Sequence, residues 1–271
     1  MVTTSRTRMP ARRFSLRSAV LLLALGGVAA CNDDSSPVST ERPLTVDEAA
    51  LLASLQFDNY DDGGADFQVA TAFLATNDTL NLQGVVDWEN HIGYAVATAK
   101  GAESGITEVY WTRTAVLERR PAADTVLAGM GYEEVKFFAR TPEPEKRLLD
   151  KALAIIMSLA SSQRDNPQLI QQKEGSSFLR LDTLRNRPST VLRYGERNIY
   201  WLDTETNRLL RFEGNAAAGG APTVVDILDR GTRTVPLPRE GQVIAAETVA
   251  ELYQALQSSA STGQPTRSTA P

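Results

Sequence analysis

The chain contains one cysteine and one histidine in 271 residues. That scarcity excludes a disulfide scaffold, a Cys/His zinc site and any multi-histidine metal centre. A Ser-His-Asp site would have to use His91. Long apolar runs are equally scarce. Residues 19–30 form the one long run, and its twelve residues fall short of the roughly 20 that a spanning helix needs. A polytopic membrane protein is therefore excluded. There is no P-loop, no GxSxG and no GxGxxG. Basic charge is in deficit, with 28 Lys plus Arg against 33 Asp plus Glu. Apolar content of 42% and charged content of 23% are ordinary for a globular chain and exclude disorder throughout.

The N-terminus reads as an export signal. Arg6, Arg8, Arg12, Arg13 and Arg17 precede residues 19–30 with no acid among them. An apolar run of about 7–15 residues after a basic region marks a cleavable signal. It ends in Val28-Ala29-Ala30-Cys31, a lipobox pattern. Small residues admit the chain to a peptidase that cuts between Ala30 and Cys31, and the Cys31 thiol accepts a diacylglyceryl group. Each acyl CH₂ buried contributes roughly 0.8 kcal/mol, so several chains hold a protein firmly on a bilayer. The expectation is a lipoprotein anchored through Cys31 by palmitate-type acyl groups, on the extracytoplasmic face of the cell membrane. Arg12-Arg13-Phe14-Ser15-Leu16 is similar to a twin-arginine signal, but Ser15 stands where a hydrophobic residue is usual. Both export routes stay open.

Loss of residues 1–30 removes five arginines and no acid. It leaves 23 bases against 33 acids, a formal net charge of −10. Nucleic acid is excluded as a partner, because it needs a basic patch. The mature chain divides into a lipidated Cys31 with a polar, proline-punctuated tether at 31–44, a folded domain at 45–257, and a Ser/Thr/Gly/Pro tail at 258–271.

Inside the domain, Thr45 and Glu48 form a capping-box pattern before an apolar helix through Leu55. Period-two segments then follow one another around residues 67–73, 80–86, 92–96, 106–113, 115–119 and 134–139. Short turns between them predict antiparallel hairpins. Thr141-Pro142 with Glu143 and Glu145 predicts the start of a second helix. Its apolar stripe runs Leu148, Leu149, Ala152, Leu153, Ile156, Leu159, with Ile155 and Met157 off the stripe. Strands resume at 178–184, 190–194, 198–202, 208–212, 224–228 and 234–237, and a last helix carries Val249, Leu252, Tyr253 and Leu256. The fold class is α+β: a curved antiparallel sheet of about 11 strands, unclosed, with helices on its concave face.

The order of lipobox, acidic tether, capped helix, meander, apolar helix and second meander resembles the LolA/LolB-like half-barrel fold. In particular it is similar to the LppX/LprG-type actinobacterial lipoproteins. Val28-Ala29-Ala30-Cys31 carries the resemblance, with the hairpin of residues 198–203 and 209–213 and the stretch 226–238 (Asp-Ile-Leu-Asp-Arg-Gly-Thr-Arg-Thr-Val-Pro-Leu-Pro). Residues 86–94 are similar to uncharacterised actinobacterial lipoproteins of this kind. The resemblance covers about residues 45–245 and implies an apolar cavity that binds or carries an acylated lipid without catalysis or a cofactor.

Phe67, Val69, Leu82, Tyr94, Val96, Phe137, Ile155 and Met157 are the expected lining. For any one of them an ordinary closed core is the commoner role, and Ile155 and Met157, which leave the main stripe, are the stronger lining candidates. The alternative function is a surface lipoprotein that binds a protein partner in an envelope complex and carries no lipid. An envelope hydrolase would instead show paired carboxylates of shifted pKa in a cleft. His91 reads as a hairpin-turn residue, and no metal site is expected. Trp88, Tyr110, Trp111 and Trp201 read as sheet anchors before sugar-stacking groups. Asp58, Asp61 and Asp62 read as a solvated turn, since they lack the spacing of a calcium loop.

Overall fold

The structure is a computed structural model and describes residues 40–73, 76–215 and 221–261. The signal segment, Ala30 and Cys31 lie outside the described residues.

The first meander contains β2 (Gly64–Phe73), β3 (Asp78–Asp87), β4 (Ile92–Lys100), β5 (Glu108–Trp111), β6 (Val116–Arg119) and β7 (Phe137–Arg140). The second contains β8 (Ser177–Leu184), β9 (Arg187–Tyr194), β10 (Asn198–Asp203), β11 (Leu209–Asn215) and β12 (Pro222–Arg230). Two short strands, β1 (Arg42–Pro43) and β13 (Val243–Ala245), complete a single 13-stranded sheet. Its order is β1-β8-β9-β10-β11-β12-β2-β3-β4-β5-β6-β7-β13. The second meander therefore returns to the first through the antiparallel β12–β2 pair, and the sheet stays open at β1 and β13. Only the β13–β7 pair is parallel among the described strands. The fold is α+β, one large unclosed sheet consistent with a half-barrel.

Five α-helices among the described residues accompany it: α1 (Val46–Asp61), α2 (Asp124–Gly129), α3 (Leu148–Ser158), α4 (Pro167–Gln172) and α5 (Ala250–Ser261). Leu52 and Leu55 of α1, Leu149, Leu153 and Ile156 of α3 and Ile170 of α4 form one core with Phe67, Val69, Leu80, Leu82 and Val109 of the sheet. Leu127 of α2 and Tyr253 of α5 pack with Phe138 and Ile244 on the same face, at the β13 end. A small cluster of Val191, Trp201 and Leu210 covers part of the other face.

The capping box forms as the sequence predicts. The Thr45 hydroxyl accepts from Glu48 N at 3.2 Å, and the Glu48 carboxylate accepts from Thr45 N at 2.9 Å. Arg42 adds two bonds to the same carboxylate, which hold its pKa below the usual range. Thr45→Ala is expected to lower stability by about 1 kcal/mol, read as a shift in the urea unfolding midpoint with an unchanged slope.

Four expectations are corrected. The folded unit begins before residue 45: β1 pairs with β8, Leu44 is buried, and the Arg42 guanidinium lies 4.2 Å from the Phe178 ring centroid. Residues 234–237 form no strand, because Pro236 and Pro238 lack the N–H that a ladder needs. The last strand is instead β13. The central helix starts at Leu148 and not at Thr141. A residue before proline is driven away from the helical region, so Pro142 and Pro144 keep Thr141 and Glu143 out of a helix. Finally, α5 extends through Ser261, into the segment read as tail.

Candidate functional site

The geometry of the site starts with a choice of strand face. On β4 the alternation offers Tyr94 and Val96 on one face and Gly93, Ala95 and Ala97 on the other. The small residues turn inward, Tyr94 is half-buried, and Val96 is 51% exposed. The cause lies on β5. Trp111 pairs with Gly93, and its indole fills the space above that glycine. A Cβ on Gly93 would stand 2.1 Å from Trp111 Cζ2, far inside contact distance. Phe67 closes the other side of the indole edge-on, with ring centroids 6.0 Å apart.

Helix α3 crosses this inner face and is fastened at both ends. At its C-terminus, Trp88 Nε1 donates to Ile156 O at 3.1 Å and Asn59 Nδ2 to Leu159 O at 2.6 Å. Both donors are buried; Asn59 reaches a carbonyl past the helix end, and Trp88 adds a second donor to Ile156 O, which also accepts from Leu159 N at 3.3 Å. At its N-terminus, the Asp150 carboxylate accepts two bonds from Arg140, at 2.6 and 2.5 Å, and one from Glu143 N.

Arg140 belongs to a buried ionic cluster. Glu118, on the inner face of β6, is fully enclosed. It accepts from Arg140 Nε at 2.6 Å, Arg120 Nε at 3.2 Å and Tyr253 OH at 3.0 Å, and Arg147 Nη1 stands 2.7 Å from it. Arg147 also pairs with Glu103. Three guanidiniums thus face three carboxylates, Glu103, Glu118 and Asp150. Burial alone pushes the Glu118 carboxyl up, but Arg147, Arg140 and Arg120 together hold it below the usual range. Burial likewise opposes the charge on Arg140 and Arg147, and their acidic partners outweigh it and raise both pKa values. An enclosed carboxylate kept ionised by three cations has neither the proton nor the access that acid–base catalysis needs.

Between α3 and the end of the β5–β6 hairpin lies a groove of about 690 Å³. Its walls are Trp111, Val116, Leu153, Ala154, Met157 and Ala160, with Thr112, Arg113, Thr114, Thr141 and Ser158 among its polar lining. Trp111 is 1% exposed, and among the described residues its Nε1 has no hydrogen-bond partner. A second cavity of about 520 Å³ lies on the far side of the 141–147 segment. Its lining includes Glu103, Glu143, Lys146, Arg147 and Lys151 and is far more charged. Pro144 lines both.

The structure distributes the expected lining residues unevenly. Met157 lines the groove. Ile155, its companion off the helix stripe, packs at the edge of the core. Phe67, Val69 and Leu82 sit inside the core. Tyr94 lies on the outer face, 4.7 Å from the Tyr110 ring, and Tyr110 meets Phe137 edge-on at 5.4 Å. Burial and the neighbouring Glu108, which accepts from the Tyr94 hydroxyl at 3.1 Å, push that phenol up to about 12. Of the possible sugar-stacking groups, Trp88 and Trp111 are buried, and Trp201 is covered by Arg180 and Arg211.

His91 occupies the β3–β4 turn with a φ of 55°, and burial followed by Arg113 lowers its pKa. In the acidic turn Asp61 is exposed to solvent, while Asp62 faces Arg208 at 3.4 Å and Arg230 at 3.2 Å. No group of three His, Cys, Asp or Glu side chains that could hold a metal occurs among the described residues. No helix among them is long and apolar enough to cross a membrane.

Sequence reasoning missed the ionic cluster and Trp111 as a groove wall. A signal for the first was present: Glu118 shares the inward parity of Val116. A charge at a core-facing strand position needs a buried partner.

No protein-family model matches the sequence, and no curated protein matches it. Similar solved structures include LprF from Mycobacterium bovis, at 15% identity over 73% of this chain and 98% of that one, with a TM-score of 0.42. An uncharacterised conserved protein from Thermus thermophilus shows 9% identity over 70% and 94%, with a TM-score of 0.37. A putative outer membrane lipoprotein-sorting protein domain from Vibrio parahaemolyticus shows 10% identity over 77% and 100%, with a TM-score of 0.30. None of the three bears on what this chain binds.

Proposed function

We propose that this chain is an extracytoplasmic lipoprotein, anchored through acyl groups on Cys31, that binds an acylated ligand in the groove beside α3 and performs no chemistry on it. The groove itself carries the reading. An acyl chain in water exposes many CH₂ groups, and a binding protein must offer an apolar volume in exchange. Leu153, Ala154, Met157, Val116 and Trp111 supply that volume at the edge of the main core. Its size, about 690 Å³, falls within the range of roughly 300–1,000 Å³ found for small-molecule sites. The fixed ends of α3 keep its wall in place. The ionic cluster nearby has its carboxylates paired with arginines.

The test is organic extraction of the purified full chain followed by lipid mass spectrometry, with Ala154→Trp and Met157→Trp compared against wild type. A stoichiometric acyl ligand in wild type, lost in both variants while their unfolding midpoints stay close to wild type, is the expected result. An empty, stable wild-type protein would overturn it and transfer the assignment to partner binding, with crosslinking on intact cells as the next step.

A further inference from the structure

We infer that the ligand of this groove is a single acyl chain ending in a carboxylate, with its head at Trp111 and Arg113. The inference rests on the reading of the groove as an acyl-ligand site and specifies what the site selects. One end of the groove is the β5–β6 turn, where the polar lining is concentrated. Two acceptors of the lining are already engaged. Thr112 Oγ1 accepts from Thr114 N at 3.2 Å and Ala115 N at 3.1 Å, and Asp150 is held by Arg140 and Glu143 N. The Ser158 hydroxyl donates to Ile155 O at 2.8 Å, which commits its proton and leaves its oxygen able to accept.

The donor-only groups of the lining are Trp111 and Arg113. Trp111 Nε1 is a donor only and lacks a partner among the described residues. Arg113 is exposed at the mouth, and no carboxylate among the described residues forms an ion pair with it. The charged group it acts on is His91, whose protonation it disfavours. An apolar groove lined by an indole whose buried N–H is unpaired and by an unpaired guanidinium matches a chain that ends in an anionic oxygen acceptor. A cationic head would meet Arg113, and a hydrocarbon end would leave Nε1 unpaired. The volume suits one chain, in the range of a single small-molecule ligand and not of a multiply acylated lipid.

The experiment is displacement of cis-parinarate from the delipidated full chain by palmitate and, separately, by 1-hexadecanol, which has the same chain length and no charge. Wild type, Trp111→Phe, Arg113→Gln and Ala154→Trp are compared, with thermal unfolding of each as a control. Wild type is expected to bind palmitate about tenfold or more tightly than hexadecanol, as an ion-assisted hydrogen bond implies. Arg113→Gln should erase that preference and leave hexadecanol unchanged. Trp111→Phe, which keeps one aromatic ring and removes the N–H with the rest of the indole, should weaken palmitate several-fold more than hexadecanol. Equal affinity for the two probes in wild type, with both lost in Ala154→Trp, would overturn the carboxylate assignment and leave the groove standing. Probe binding that Ala154→Trp does not touch would overturn the groove and this inference with it.

Discussion

Replacing Glu118 with alanine is expected to destabilise the protein by about 3–5 kcal/mol, the cost of removing one partner from a buried ionic set. Arg120, Arg140 and Arg147 would keep their charges and lose the carboxylate they share. Arg120 has no slack, since among the described residues its Nη2 already lacks a partner. The measurement is urea unfolding, with the loss read in the midpoint. Glu118→Gln is the informative companion. It keeps the volume and an acceptor oxygen but removes the charge, so its loss isolates the electrostatic part.

The same residue sets a pH dependence. The folded carboxyl lies below its usual value of 4.5, so the unfolded chain takes up the proton first as pH falls. The stabilisation from Glu118 is complete above about pH 4.5 and is lost as pH drops through the lowered folded value. Stability of wild type should decline with acid in that window, and the decline should be shallower in Glu118→Gln. An identical acid profile in the two proteins would count against this account.

Gly93→Ala is the second large effect expected, at about 1–3 kcal/mol of overpacking. Alanine is an ordinary strand residue, and nothing in β4 by itself forbids it. The penalty comes from Trp111, whose ring atoms stand 2.1–2.4 Å from where the new Cβ would be. Phe67 bars retreat of the indole on one side, so displacement alters the groove wall as well. Ligand affinity should therefore fall together with stability. In a Trp111→Leu background the same alanine should cost much less. That non-additivity, measured by a double-mutant cycle, is the signature of a direct clash.

Much of the architecture was legible from residue order. On β3, Leu80, Leu82 and Val86 alternate with Asn81, Gln83 and Val85, and they face the core as read. Thr45 and Glu48 cap α1 as read. The two meanders on either side of a central apolar helix appear in the expected order. On β4 the same logic selected the bulkier face, Tyr94 and Val96. Hydrophobicity favours that choice, and space forbids it, because Trp111 of the next strand already occupies the inner side. The pairing of Arg140 with Glu118 and Asp150 was equally hidden. These residues are separated by 22 and 10 positions, and no local pattern signals that they meet.

The sequence by itself determined which segments extend, which coil, and where caps and prolines stop them. These are local properties, set by side-chain shape, proline sterics and hydrogen bonds a few residues long. Tertiary structure alone decided which face of β4 turns inward, which charges are enclosed and neutralised, and where an apolar groove remains beside α3. Alternation defines two faces of a strand but not their destinations. Those depend on volumes and charges brought by residues far away in the chain, and close packing makes that choice only once all of them are in place.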